Sequence, residues 1–247
     1  MYPLAHLYFA EKALGGLSEE TILGSIFPDI AFFSGFDWQH SHSLGQDLWC
    51  EFHSNGEGMV NFCHGVVSHG IKPQGLDYYS DQQYRDYEKG YCYEKARSLI
   101  DGVVEACNIS SGDGWWKAHN FIEMGVELFV FEKRPELLHY LHKALSQGTL
   151  IREICNKVAP SLGKDRCSLE KGYLFFKEFV ERGPMNARSL ALRYQEHIYM
   201  RYRSNSVNLS QCEDIIERGK SNIISDIDRF FNDVHLLMKP IWIQMEA

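Results

Sequence analysis

Apolar residues recur along most of this chain at the three-to-four-residue spacing of an amphipathic helix. Leu4, Leu7, Tyr8, Ala10 and Leu14 trace the first stripe, which Gly15 and Gly16 close. Ser18 followed by Glu19 and Glu20 has the pattern of an N-cap with acids in the first turn, and predicts a short helix to about Gly24. Pro28 and Asp29 are expected to break it, and residues 34–43 read as polar and irregular. Further helices are predicted over roughly 44–53, 57–70, 91–107, 114–131, 135–146, 149–159, 168–182, 185–203 and 209–237. Pro184 and the stretch 204–208 punctuate the last of these, and Asp214–Met238 reads as one long tail helix of mixed charge. Residues 71–90 carry Gly, Pro, Asp and the tyrosines 78, 79, 84 and 87, and read as a long ordered loop of the kind that often has a function. Period-two alternation and internal repeats are both missing. The expectation is an all-α fold, one helical-bundle domain over 1–247, with candidate chemistry on helices within about 1–131 and buttressing helices over about 132–247.

Composition narrows the function classes. A hydrophobic content of 45% can fill a sizeable core. The formal net charge of −8 argues against a duplex nucleic-acid partner, which needs a basic face. No apolar run reaches the length of a transmembrane span. The start, Met1-Tyr2-Pro3-Leu4, has neither a basic segment nor the apolar core of a secretory signal, so a cytoplasmic location is expected. Seven cysteines without CxxC spacing fit reduced thiols better than a disulfide frame.

The candidate chemistry lies in the histidines. Seven of the eleven fall at or before position 119: His6, His40, His42, His53, His64, His69 and His119. His119 and Glu123 are four residues apart on a predicted helix, so an imidazole and a carboxylate share one face and can close on one ion. Two ions a short distance apart can bind the attacking and leaving oxygens of a phosphoryl centre, and such a cluster wants several histidines, a terminal carboxylate and a bridging one. The chain offers His6, Asp29, His42, His69, Asp77, His119 and Glu123. His42 is preferred to His40, since two loop residues two apart do not both face inward. Asp77 competes with Asp81, and Asp29 is its rival for the bridging role. Glu127, one turn beyond Glu123, can orient a ligand. His64 falls on another face from His69. His139 and His142 fit core-edge packing beside Leu137, Leu138 and Leu141.

In this order, His6 on an Ala-His-Leu-x-x-Ala helix, Pro28-Asp29, Ser41-His42, Gly65-x-x-x-His69 and His119-x-x-x-Glu123 resemble the zinc-dependent phospholipase C family, relatives of zinc-dependent single-strand nucleases. The resemblance spans about residues 4–127. It implies an α-helical bundle, zinc, two ions, and hydrolysis of a small phosphate ester or phospholipid; carboxylate-rich histidine sites also take iron or manganese. It implies that His42 and His69 serve one ion, His119 and Glu123 a second, and that Asp29 orients or deprotonates the attacking water. The family's carboxylate four residues after the histidine is replaced by Pro73, so Asp77 inherits that place after a short insertion. Secreted members also use a free amino terminus as a ligand; five residues precede His6 here, which argues against a third metal site. Two other readings stand beside this one. A degenerate, non-catalytic metal-binding scaffold would explain the displaced carboxylate. An HD-type phosphohydrolase is also all-α, but the chain has no His-Asp dipeptide.

Overall fold

The computed structural model describes residues 1–202 and 206–246, apart from the side chains of 200, 201 and 246; the predicted punctuation at 204 and 205 lies outside the described residues. Among the described residues there are fifteen α-helices and no strand. Helix α1 (Pro3–Leu14) starts on a proline, whose missing amide costs nothing in a first turn. Helix α2 (Glu19–Ser25) is capped by the Ser18 hydroxyl, which accepts from the Thr21 amide at 3.1 Å. The helix ends at Ser25, ahead of Pro28 as expected, but Pro28 opens no irregular stretch. It sits in the first turn of a new helix, α3 (Phe27–Phe33), and so carries Asp29 on that turn. The stretch expected to be irregular holds a one-turn helix, α4 (Trp38–Ser41), capped by Asp37. Then come α5 (Gly45–Phe52) and α6 (Glu57–His69).

The long loop follows, with a short π-helical turn at Tyr78–Gln82. The helix expected over 91–107 is broken into α7 (Tyr91–Lys95), a 3₁₀ turn (Arg97–Leu99) and α8 (Ile100–Cys107). Helix α9 (Ser111–Lys133) is the longest, capped by Ser110. The second half consists of α10 (Glu136–Leu145), α11 (Gly148–Ser161), α12 (Arg166–Glu181), α13 (Ala187–Tyr202), α14 (Leu209–Ile223) and α15 (Ile227–Glu246). The predicted tail helix is thus split near Asp226. That carboxylate accepts from Tyr91 Oη at 2.8 Å and Lys95 Nζ at 2.6 Å, so a long-range tie to α7 turns the chain.

Buried apolar residues from α1 through α15 join one cluster, so the two halves share a core. The tightest crossing in the site's frame is α2 on α6. A Cβ on Gly65 would lie 2.3 Å from Thr21 O, and one on Gly24 would lie 2.0 Å from Phe62 O, so the two backbones touch only because both positions lack side chains. No helix among the described residues is long and apolar enough to cross a membrane.

Candidate metal centre

His69 ends α6 and is fully buried. Its Nδ1 lies 2.7 Å from the Ser25 carbonyl, an acceptor, so Nδ1 carries the proton and Nε2 presents a lone pair. That Nε2 has no hydrogen-bond partner, yet it faces Asp77 Oδ2 at 3.2 Å. His42, just past α4, repeats the arrangement. Its Nδ1 lies 3.0 Å from the Trp38 carbonyl and 2.9 Å from Ser41 Oγ, while Nε2 points at Asp77 Oδ2 (3.4 Å) and Asp29 Oδ1 (3.7 Å). Two imidazole lone pairs thus converge on one carboxylate oxygen, and such a meeting of acceptors is stable only around a cation or a shared proton.

Asp77 reaches this point because the loop doubles back. Gly75 donates to Gly70 O at 2.9 Å, and a Cβ on it would lie 2.5 Å from Val67 O, so glycine lets the loop press against the end of α6. Asp77 is buried and touches more of the cluster than any neighbour: His42, His69, His6 Nε2 at 3.4 Å, and the Met1 amino nitrogen at 2.9 Å. Asp29 is a quarter exposed at its side chain and sits at the edge, beside His42. His6, on α1, stacks on His69 with ring centroids 3.5 Å apart.

Among the described residues, ligand-type atoms fall into three groups whose members lie within 4.8 Å of one another: His6, Asp29 and His69; His42, His69 and Asp77; and Asp81, His119 and Glu123. The structure therefore brings together all seven sequence candidates. Asp77 and Asp81 are not alternatives; each joins a different group. The Met1 amine ties the groups, since it lies 2.9 Å from Asp77 Oδ1 and 3.1 Å from Glu123 Oε1. The five residues ahead of His6 do not keep the amino group from the cluster. Those residues turn in so that Met1 N and Met1 O both face the cavity, with Met1 O 3.3 Å from His6 Nε2. Glu127 fixes that turn by accepting from the Leu4 and Ala5 amides, each at 3.1 Å.

Electrostatics follow from this crowding. Burial lowers the His6 imidazole well below its ordinary value, and a charge on the stacked His69 adds to the effect. Burial works against a charged His69 too, but the Asp77 carboxylate outweighs it and raises that imidazole. Asp77 is held well below the usual carboxylate range, because the Met1 ammonium, His6 and His69 overcome its burial. Asp81 is pushed well above that range by burial and by Glu123. Burial takes His119 down to about 4 and Glu127 up to about 7. Without a metal, protons and an ammonium screen these acids.

Other candidates lie elsewhere. His40 is exposed against Phe36, and His53 and His64 stack on Trp49. Sequence reasoning missed Asn120, whose amide lies 3.0 Å from His119 Nε2, donates to Glu123 at 3.4 Å and accepts from Tyr194 Oη at 3.2 Å. It also missed the walls. The cluster opens into a cavity of about 690 Å³. Phe32 and Phe33 of α3, Trp38, Tyr93 and Trp116 line it, and so do Phe175, Phe176, Phe179, Arg182, Arg193, Tyr194 and His197 of the half read as scaffold. Only the residues next to the ligands in sequence could have been found by spacing; the α12 and α13 wall is a long-range product of the fold. Comparison with family models, with curated proteins and with solved structures finds no match for this chain.

Proposed function

We propose that the protein is a metal-dependent phosphoesterase of the phospholipase C kind, with two divalent ions, zinc first and iron or manganese as alternatives. The observation that carries this reading is the convergence of His42 Nε2 and His69 Nε2 on Asp77, with both Nδ1 atoms already held by carbonyls. The donor set is nitrogen and carboxylate oxygen, which suits such ions. Bound there, the ions would lower the pKa of water and offset charge on phosphoryl oxygens.

The chain's own residues have separable tasks. Asp77, central and buried, is placed to bridge. Asp29, at the edge and open to the cavity, is free to hold the attacking water and accept its proton. Asn120 keeps His119 and Glu123 in register. The aromatic walls lower the local dielectric and so strengthen charge interactions beside them.

One rival reading has an observation behind it. The Met1 ammonium already pairs with Asp77 and Glu123, so the cluster could be a charge network that holds ions without turnover, or none. Elemental analysis after reconstitution with zinc separates the cases, together with hydrolysis of nitrophenyl phosphomonoester and phosphodiester probes. Two ions per chain and turnover that falls at least about a hundredfold in Asp29→Asn support the proposal. Below about 0.3 ions per chain the metal reading is lost. Full loading without turnover of either probe leaves the binding scaffold.

A further inference from the structure

We propose that Cys107 and Cys212 are a redox pair that closes to a disulfide in an oxidising thiol buffer and clasps α8 to α14. The inference stands apart from the phosphoesterase reading. Cys107 is the last residue of α8, and Cys212 lies in the first turn of α14. They are 105 residues apart in sequence, yet their Sγ atoms lie 4.0 Å apart, and both side chains are fully buried. Two other buried thiols face different partners: Cys63 Sγ donates to the Leu48 carbonyl at 3.4 Å, and Cys92 Sγ lies 3.9 Å from the Met1 thioether. The two helix ends are also held together without the sulfurs. Asn208 N donates to Ala106 O at 2.7 Å, Asn108 Nδ2 donates to Ser206 Oγ at 2.7 Å, and Gln211 Nε2 donates to Glu105 Oε1 at 3.4 Å. A disulfide holds its sulfurs about 2.05 Å apart, so each must move by about 1 Å, a step within reach of side-chain rotation. Folding thus sets each thiol at a high effective concentration for the other.

The oxidant is a low-molecular-weight disulfide of the oxidised-glutathione class. One protein thiolate attacks a glutathione sulfur, the glutathione S–S bond breaks, and one glutathione leaves as its thiol. The second protein thiolate attacks the protein sulfur of the mixed disulfide and expels the second glutathione. The two protein thiols lose two electrons in all, their protons end on the two glutathione thiols, and the chain gains one S–S bond. Burial sets the kinetics. The folded chain shields both sulfurs from a tripeptide, so the exchange runs during folding or when α8 and α14 part, and the finished bond is shielded from reductant in turn. The clasp bears on α9, which carries His119 and Glu123. A Cβ on Gly219 of α14 would meet Phe121 O of α9 at 2.7 Å, and a Cβ on Gly114 of α9 would meet Val104 of α8 at 2.7 Å. Helix α9 therefore lies against both helices that the disulfide joins, and the bond restrains the parting that would loosen it.

The test equilibrates the full chain in buffers running from reduced to oxidised glutathione, in urea just below the unfolding transition so that α8 and α14 open often. After acid quenching, thiols are alkylated in the unfolded chain and counted by intact mass, and peptide mapping locates any bond. An internal disulfide lowers the mass by about 2 Da, which separates it from glutathione adducts on the exposed Cys50 and Cys167. In the oxidised buffers, two of the seven thiols are expected to escape alkylation through one internal bond, mapped to Cys107 and Cys212. With urea and glutathione removed, the oxidised chain should melt about 5 °C or more above the reduced one. Cys107→Ala and Cys212→Ala, treated in the same way, should each abolish that rise, whereas Cys50→Ala should keep it. Should either core substitution prevent folding, the thiol count and the map of the wild type decide the pairing, and its two melting temperatures decide the clasp. Seven alkylated or glutathione-capped thiols at every buffer composition would overturn the pair, as would a map that joins other cysteines. A Cys107–Cys212 bond that leaves the melting temperature unchanged or lower would overturn the clasp.

Discussion

Gly65→Ala adds one methyl group at the α2–α6 crossing, and the structure says what it meets. The new Cβ would lie 2.3 Å from Thr21 O, 2.6 Å from Ser25 N and 2.8 Å from Gly24 C. All three are backbone atoms, so no rotamer change can make room. Restoring van der Waals contact requires α2 to retreat from α6 by about 1 Å. Such overpacking costs about 1–3 kcal/mol, and looser contacts along Ile22, Leu23, Phe62 and Val66 add to it. For a chain of this size that is a melting-temperature fall of about 4–10 °C. The retreat also stretches the 2.7 Å contact between Ser25 O and His69 Nδ1 to about 3.7 Å, beyond hydrogen-bond range. His69 then loses the bond that fixes its tautomer, a kind of loss that lowers metal affinity about 10–100-fold. Thermal unfolding and zinc competition against a chromophoric chelator read both effects. Gly58→Ala, on the same helix, is the control: its Cβ would meet only the Glu20 side chain, at 3.5 Å, so it should be neutral or stabilise by up to about 1 kcal/mol. A Gly65→Ala protein that melts within about 2 °C of wild type and competes equally for zinc would refute the reasoning.

His119→Ala should release zinc to a chelator well before His139→Ala does, and only the first should also lose the stability that bound metal confers; equal metal content in the two variants would remove α9 from the site. Glu127 has a folded pKa of about 7 against an ordinary 4.5, so the folded state binds the extra proton between those values, and its contribution to stability is present below about pH 4.5 and lost as the pH rises through about 7. The stability of wild type relative to Glu127→Gln should therefore fall by up to about 3 kcal/mol between pH 4.5 and 7.5 in urea unfolding, and a pH-independent difference would contradict this. Tyr91→Phe removes a 2.8 Å hydrogen bond to Asp226 and should cost about 1.5–3 kcal/mol in the same assay.

What could be read from the sequence follows the range of each interaction. The Ser18 cap and the spacing of His119 and Glu123 are set within one turn, and local pattern finds them, whereas the α9 start at Ser111 lies three residues ahead of the predicted one. Pro28 was ambiguous by nature, because proline both ends one helix and begins the next, and only α3's packing decides. The break at Asp226 depends on Tyr91 and Lys95, more than a hundred residues away, and no local pattern announces it. Asp81 was read as the rival of Asp77, and its place beside His119 and Glu123 depends on how the loop after Gly75 turns the chain. The position of the amino terminus was not legible, because counting residues ahead of His6 gives a contour length, not a path; Glu127 folds that path inward from 122 residues away.

The arrangement divides the work in a way that physics favours. Metal ligands must stay within a few tenths of an ångström of their positions, and most of the candidate ligands lie where backbones touch or side chains are buried: at the α2–α6 crossing, on the buried face of α9, and in the loop pressed against α6. Substrate walls must instead admit and release a molecule. Phe32, Phe33, Trp38 and Phe175 are at least a third exposed and line the cavity from α3, α4 and α12. If the proposed metal reading holds, substitutions among the α12 and α13 side chains that line the cavity should change what it admits while leaving metal content unchanged.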